Sequence, residues 1–337
     1  MVWAVIVFSD CKIPQAPVFL APMAGITDLP FRDRALDHGA AMVFSEMIAS
    51  GEVLNARPLA RGKARIGRVA ERSGAQLAGR EPGPMAEAAR YCAGEGARVI
   101  DINFGCPAKK VTNGLSGSAL MRDLDLALAI VAAVVAAVDV PVTVKTRLGW
   151  DCDTLNAPEL ARRAEAAGVS MIAIHGRTRC QFYTGTADWA AIAAVKRAVT
   201  IPVIANGDIT CAGSARAALA ASGADGVMIG RGARGAPWLP GEIAAALNGA
   251  PVPEAPRGAA LADFIVAHYE AMLGFYGRDI GARVARKHLG WYLDRLPGSA
   301  PARARLMRAP TPEAVIGILR AEVPELDAAR PPAEVAA

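Results

Sequence analysis

Eight short runs rich in valine and isoleucine recur along the chain, separated by longer segments of helical character. They are Val18–Met23, Met42–Met47, Ala75–Ala78, Val99–Asn103, Val142–Thr146, Met171–His175, Val203–Ala205 and Gly226–Ile229, and their starts lie 24, 33, 24, 43, 29, 32 and 23 residues apart. Eight strand–helix repeats in about 220 residues suit a closed (β/α)₈ barrel of the TIM type. An open doubly wound sheet would need fewer strands. The runs show little polar alternation, as expected of strands covered by helices on one side and packed into a barrel on the other. Local punctuation agrees. Thr27-Asp28 can cap a helix with Pro30 in its first turn, and Pro141 and Pro202 stand just before the fifth and seventh runs.

The repeats end before Gly249-Ala-Pro-Val-Pro-Glu-Ala-Pro256, a linker-like stretch. Beyond it Phe264, Ile265, His268, Tyr269 and Met272 fall on one helical face. The expected organisation is a barrel over 1–245, a linker over 246–258, a small helical domain over 259–325 and a disordered tail over 326–337. With 53% hydrophobic and 20% charged residues the chain is folded, not disordered. Its longest apolar run, Leu126–Val138, has 13 residues. As helix it spans about 20 Å, short of a roughly 30 Å hydrocarbon core, so no membrane association is expected. Met1–Phe8 is apolar without a basic leader and reads as a first strand or hairpin; a cytoplasmic protein is expected.

Six cysteines, at 11, 92, 106, 152, 180 and 211, form no Cys-x-x-Cys pair, and the four histidines are scattered. Neither a metal site nor a disulfide framework is expected. The net charge of +5 says little alone. Between Arg278 and Arg308, however, eight Lys/Arg stand against two Asp. Arg283, Arg286 and Lys287 have helical i, i+3, i+4 spacing. Composition leaves a solvated helix face and a phosphate-gripping face equally open.

In a barrel of this kind chemistry collects at the carboxyl ends of the strands. Those ends carry Pro22, Met23 and Ala24; Ser45 and Glu46; Gln76; Asn103 and Cys106; Lys145 and Arg147; His175 and Arg177; Asn206, Gly207 and Asp208; Gly230, Arg231 and Gly232. Glycines after the seventh and eighth strands suit a phosphate held on backbone N–H groups, with Arg231 neutralising charge, although they also serve as ordinary turn residues. Lys145 alone reads as an interior ion pair or a Schiff-base lysine. With His175 one strand on, the two can act as cations beside a reduced flavin ring. Gln76 and Asn206 suit the ring's amide-like edges. Cys106 reads either as a buried structural thiol or as a reactive one. A thiol with an ordinary pKa near 8.5 is mostly protonated at neutral pH and can donate a proton.

Six ordered motifs look like the bacterial tRNA-dihydrouridine synthases, B-type subgroup. They are Leu20-Ala-Pro-Met-Ala-Gly-Ile-Thr-Asp28, Asp101-Ile-Asn-Phe-Gly-Cys-Pro-Ala-Lys-Lys-Val111, Val144-Lys-Thr-Arg147, Ile174-His-Gly-Arg-Thr178, Ile204-Ala-Asn-Gly-Asp-Ile209 and Met228-Ile-Gly-Arg231. The resemblance runs from about residue 18 to 295 and includes Arg283-Val-Ala-Arg-Lys-His-Leu-Gly-Trp-Tyr292. Phe104 departs from the methionine common before Gly-Cys-Pro. The resemblance implies FMN held by Pro22, Met23, Ala24, Gln76, Lys145, His175, Asn206, Gly207, Asp208, Gly230 and Arg231. It also implies NADPH as reductant and Cys106 as proton donor. Asn103, Arg147 and Tyr183 would bind a flipped uracil, and Arg283, Arg286 and Lys287 would grip tRNA. A monomer is expected. The rival readings are a flavin barrel reductase acting on a free pyrimidine or an activated alkene, a non-catalytic RNA-binding protein with a vestigial flavin site, and a metabolite-binding barrel with another phosphate ligand.

Overall fold

In the computed structural model, which describes residues 7–8, 11–12 and 17–329, the eight expected strands form one closed parallel sheet. They are β1 (Val18–Leu20), β2 (Met42–Phe44), β3 (Ser73–Ala78), β4 (Val99–Phe104), β5 (Val142–Arg147), β6 (Met171–His175), β7 (Val203–Asn206) and β8 (Gly226–Ile229). Each pairs with the next in sequence, and β8 returns to β1 through Val227 opposite Val18. The ring also needs β2 beside β3, where Val43 faces Ser73 and Phe44 faces Gly74. A Cβ at Gly74 would stand 2.7 Å from the Phe44 ring, so only glycine lets the strands meet there. A short strand, Ile48–Ala49, extends the contact along β3.

Period-two alternation sorts each strand into two faces. Phe19, Met42, Phe44, Val99, Met171, Ala173, Ile204 and Met228 belong to one buried apolar cluster. Towards the carboxyl ends buried residues turn polar, with Gln76, Asn103, Arg147, His175 and Asn206, and Asp101 and Thr143 place polar groups lower in the barrel. Barrel helices begin as their caps predict. Asp28 Oδ1 accepts the Phe31 N–H at 3.0 Å and Pro30 lies in the first turn. Asp188 caps the Trp189–Ala198 helix through the Ala191 N–H.

The expected hairpin near the start is represented by Val7–Phe8 paired antiparallel with Cys11–Lys12. Residues 1–6 lie outside the described residues. No helix among the described residues is long and apolar enough to cross a membrane.

A second compact unit takes residues 233–238 and residues 253–329. Its helices are Gly258–Tyr276, Arg278–Leu293, Ala300–Arg308 and Pro312–Ala328. The last of these runs into the segment expected as a tail, and residues 330–337 lie outside the described residues. Ile265, His268, Tyr269 and Met272 are buried as the spacing predicts, while Phe264 packs edge-on against Trp238. Asp327, almost fully buried, takes Arg257 Nε at 2.8 Å and the Gly258 N–H at 2.7 Å, joining the first helix to the last. Arg283, Arg286 and Lys287 stand exposed on the second helix, and none makes a hydrogen bond or ion pair with a described residue.

Burial pushes His288 in this unit down to about 3, with Lys287 adding repulsion. The unfolded chain takes up that proton below about pH 6.5, and the folded chain refuses it. Stability therefore falls as pH drops from about 6.5 towards 3, by at most ~1.4 kcal/mol per pH unit from this group. Urea melts at pH 7 and pH 5 should show a smaller loss for His288→Gln than for the wild type.

Candidate active site

The loop after β4 is held from both sides. Asn103 Oδ1 accepts the N–H groups of Gly105 (3.1 Å) and Cys106 (2.9 Å). The Cys106 carbonyl takes the Ser118 N–H (3.1 Å) and hydroxyl (2.8 Å). Gly117, at φ +60°, lets the returning chain pass close: a Cβ there would lie 2.9 Å from the Cys106 carbonyl oxygen. The thiol of Cys106 is left half-buried on this braced turn.

Lys145, opposite Asn103 on β5, is also half-buried, and its ammonium makes no hydrogen bond or ion pair with a described residue. Burial pulls it down to about 8, Arg147 adds repulsion, and Asp101 opposes both. His175 is driven to about 2, first by burial and then by Lys145, Arg147, Arg177 and Arg231. In the ligand-free chain the imidazole therefore favours its neutral form. The expected pair of cations narrows to Lys145, supported by guanidinium groups.

Arg147 spends three bonds on backbone carbonyls: Gly105 (2.8 Å), Thr178 (2.8 Å) and Phe182 (2.8 Å). It thereby joins the Cys106 loop to the loop after β6. That second loop presents Phe182, with φ +54°, and Tyr183, both well exposed. The Tyr183 ring lies 4.5 Å from the Arg231 guanidinium, 5.4 Å from that of Arg147 and 6.4 Å from the His175 ring. Lys145, His175, Arg147, Tyr183 and Arg231 thus share the barrel mouth.

Asp208, read as a cofactor contact, is occupied within the protein. Arg177, buried to 2% exposure, forks onto its carboxylate at 2.6 and 3.0 Å, and the Ala187 N–H adds a third bond. Burial opposes ionisation of Asp208, but these donors hold its carboxyl below the ordinary range. Arg231 lies 3.6 Å away. Arg177 also binds the Thr184 and Gly185 carbonyls, which ties the loops after β6 and β7 together. Gly207, at φ +115°, admits the His175 ring, since a Cβ would stand 2.8 Å from Cδ2. Above Gly230 the nearest atoms to an added Cβ are Met23 Sδ at 3.9 Å and Ala21 Cβ at 4.0 Å, leaving a shallow cradle.

The loop after β1, with Pro22, Met23 and Ala24, is a compact turn. Met23 N–H donates to Thr27 Oγ1 at 2.9 Å, and Gly25 N–H donates to Glu46. Asn206 Nδ2 donates to the Met228 carbonyl at 2.7 Å. Gln76 donates to Asp101 and accepts from Asn103, so its amide is largely engaged.

Sequence reasoning gave no role to Asp101, Arg177 or Glu46. Arg177 and Glu46 stand just past strand ends and Asp101 inside a strand motif, and those positions were the available signal. Among the described residues no cluster of His, Cys, Asp and Glu could hold a metal.

The sequence matches the dihydrouridine synthase family over residues 19–326. The chain belongs to that family. A "Probable tRNA-dihydrouridine synthase" of Rhodobacter capsulatus is 62% identical over 314 residues, 93% of this chain and 96% of that one. A "tRNA-dihydrouridine synthase B" of Xanthomonas campestris pv. campestris is 50% identical over 317 residues, 94% and 95% of the two chains. Among solved structures, histamine dehydrogenase from Rhizobium sp. 4-9 superposes with a TM-score of 0.52 at 12% identity, over 79% of this chain and 50% of that one, a likeness of fold. As an oxidoreductase of this family, the protein needs a redox group. The mouth fits a flavin: an ammonium with no partner among the described residues, an imidazole, guanidinium groups and a glycine cradle.

Removing the Lys145 charge should have opposite effects on stability and on ligand affinity. At pH 7 the folded chain carries a partly desolvated ammonium that the unfolded chain solvates freely. Ligand-free Lys145→Met should therefore be more stable by about 1–3 kcal/mol at pH 7. That advantage should shrink as pH rises from 8 towards 10.5 and the wild-type amine loses its proton. Urea melts of flavin-stripped protein, with flavin retention measured in parallel, check both signs.

Proposed function

We propose that the protein is a tRNA-dihydrouridine synthase, reducing the C5–C6 double bond of a specific uridine in tRNA, with FMN as resident cofactor and NADPH as reductant. The observation that carries this reading is the braced Cys106 turn facing an unpartnered Lys145 in the mouth of a barrel of this family. The names of the close relatives support it. The reading includes a monomeric, cytoplasmic protein.

Lys145 and His175 would lie against the ring's polar edge, with Gln76 and the free Oδ1 of Asn206 at its amide-like groups. Pro22, Met23 and Ala24 would line one face. Arg231, with the backbone of Gly207, Asp208 and Gly230, would hold the phosphate. When bound, a reduced flavin supplies the hydride taken up at uracil C6.

The chain's own residues do the rest. The target base must leave its stack to reach the strand-end groups. Tyr183 offers a stacking face. The second Nδ2–H of Asn103 and the remaining guanidinium N–H groups of Arg147 suit a carbonyl edge. Cys106 gives the Sγ proton to C5 from the opposite side, and its thiolate recovers a proton from water.

A positioned acid contributes about 10²–10⁴-fold to such a step. Cys106→Ala should bind tRNA and flavin normally yet reoxidise slowly. The experiment is anaerobic: reduce the flavin, add tRNA lacking dihydrouridine, and follow 450 nm absorbance with mature tRNA as control. Fast reoxidation by unmodified tRNA alone is expected. Indifference to both tRNAs would defeat the function, and a wild-type rate in Cys106→Ala would defeat the acid assignment.

Arg283, Arg286 and Lys287 form an exposed basic face without partners among the described residues, suited to phosphates. Each phosphate contact adds about 0.9 to the slope of log affinity against log salt on duplex. Neutralising all three should raise the tRNA KM and flatten that slope by about 2–3. An unchanged slope returns them to a solvated helix face.

A further inference from the structure

Four buried side chains on three adjoining strands make one hydrogen-bonded chain. Thr143 Oγ1 donates to Asp101 Oδ1 at 2.6 Å. Gln76 Nε2 donates to Asp101 Oδ2 at 2.7 Å. Asn103 Nδ2 donates to Gln76 Oε1 at 2.8 Å, and Asn103 Oδ1 accepts the Gly105 and Cys106 N–H groups. All four side chains are buried, and Asp101 is 2% exposed. Register explains the meeting: Gln76 faces Asp101 across β3–β4, and Asp101 faces Thr143 across β4–β5.

The chain has a direction, and both ends specify it. Backbone N–H groups only donate, so Asn103 must turn its oxygen towards Gly105 and Cys106. Its amide nitrogen then faces Gln76, which must offer oxygen there and nitrogen to Asp101. An ionised carboxylate only accepts, so it holds that same direction from the far end. Removing the carboxylate leaves only the two backbone donors to hold that direction.

We propose that Asp101 is a positioning residue: through Gln76 and Asn103 it fixes the turn that carries Cys106. The catalytic consequence rests on the reading of Cys106 as the acid. In Asp101→Asn the side chain has one accepting and one donating end. The original direction survives only if the Thr143 hydroxyl also reverses. The other direction ends with the Asn103 amide nitrogen against the two backbone donors, where no bond forms. Asp101→Asn therefore loosens the turn while keeping side-chain volume.

Amide hydrogen exchange resolved at residues 105 and 106, in the full chain as purified, reads the turn without relying on catalysis. In Asp101→Asn both amides should exchange at least tenfold faster, while the β4–β5 ladder amides keep wild-type rates. Alkylation of Cys106 by iodoacetamide should also accelerate several-fold. Turnover on tRNA should fall at least tenfold with KM within twofold. Thr143→Val, which removes one donor to the carboxylate at nearly constant volume, should shift all three in the same direction by less. It carries the test if Asp101→Asn does not fold. Wild-type exchange at 105 and 106, or faster exchange throughout the ladder, overturns the proposal. So does faster local exchange with undiminished turnover while Cys106→Ala is slow. If local exchange rises and Cys106→Ala turns over normally, the chain holds the turn and the acid assignment is what fails.

Discussion

The barrel closes where the Phe44 ring lies over Gly74. A sheet of eight strands is stable as a ring only if every edge is paired, because an open parallel edge leaves a row of unmet N–H and C=O groups. The β2–β3 seam is among the closest of these pairings. Everything functional depends on it, since only a closed ring brings Gln76 on β3, Lys145 on β5 and Asn206 on β7 to one mouth.

Once the ring is closed, the interior divides by chemistry. Apolar side chains fill its lower layers, and the upper layer carries polar groups that need partners. Charge there is unbalanced: Lys145, Arg147, Arg177 and Arg231 surround one neutral histidine, with Asp208 committed to Arg177. Such a site is less stable than an apolar one and becomes more favourable when an anion enters. This is the usual exchange of stability for function at binding sites.

The architecture was legible in the sequence because period and spacing are local properties. Met171–His175 and Gly226–Ile229 coincide with the expected runs, and the others differ by a few residues at their ends. The strand-end residues were legible too, because a barrel sends them all to one mouth. Their partners were not. Asp208 looked like a ligand contact and is held by Arg177, 31 residues away. Asn103 and Arg147 looked like substrate groups, yet each spends most of its hydrogen bonds on backbone. Asp101 gained no role because its two donors come from neighbouring strands. His175 looked like a cation, since its charge state depends on burial and on four cations that the fold assembles around it.

Arg147 has a wider consequence. One guanidinium bonds both the Gly105 carbonyl and the carbonyls of Thr178 and Phe182. Arg177 then fastens the same β6 loop to the β7 loop. Three segments distant in sequence therefore open as one cooperative unit, because freeing any of them strands buried donors in the others. Opening one of these segments is therefore coupled to opening the others. Cys106 and Tyr183 sit on segments that one pair of guanidinium groups holds in a single arrangement.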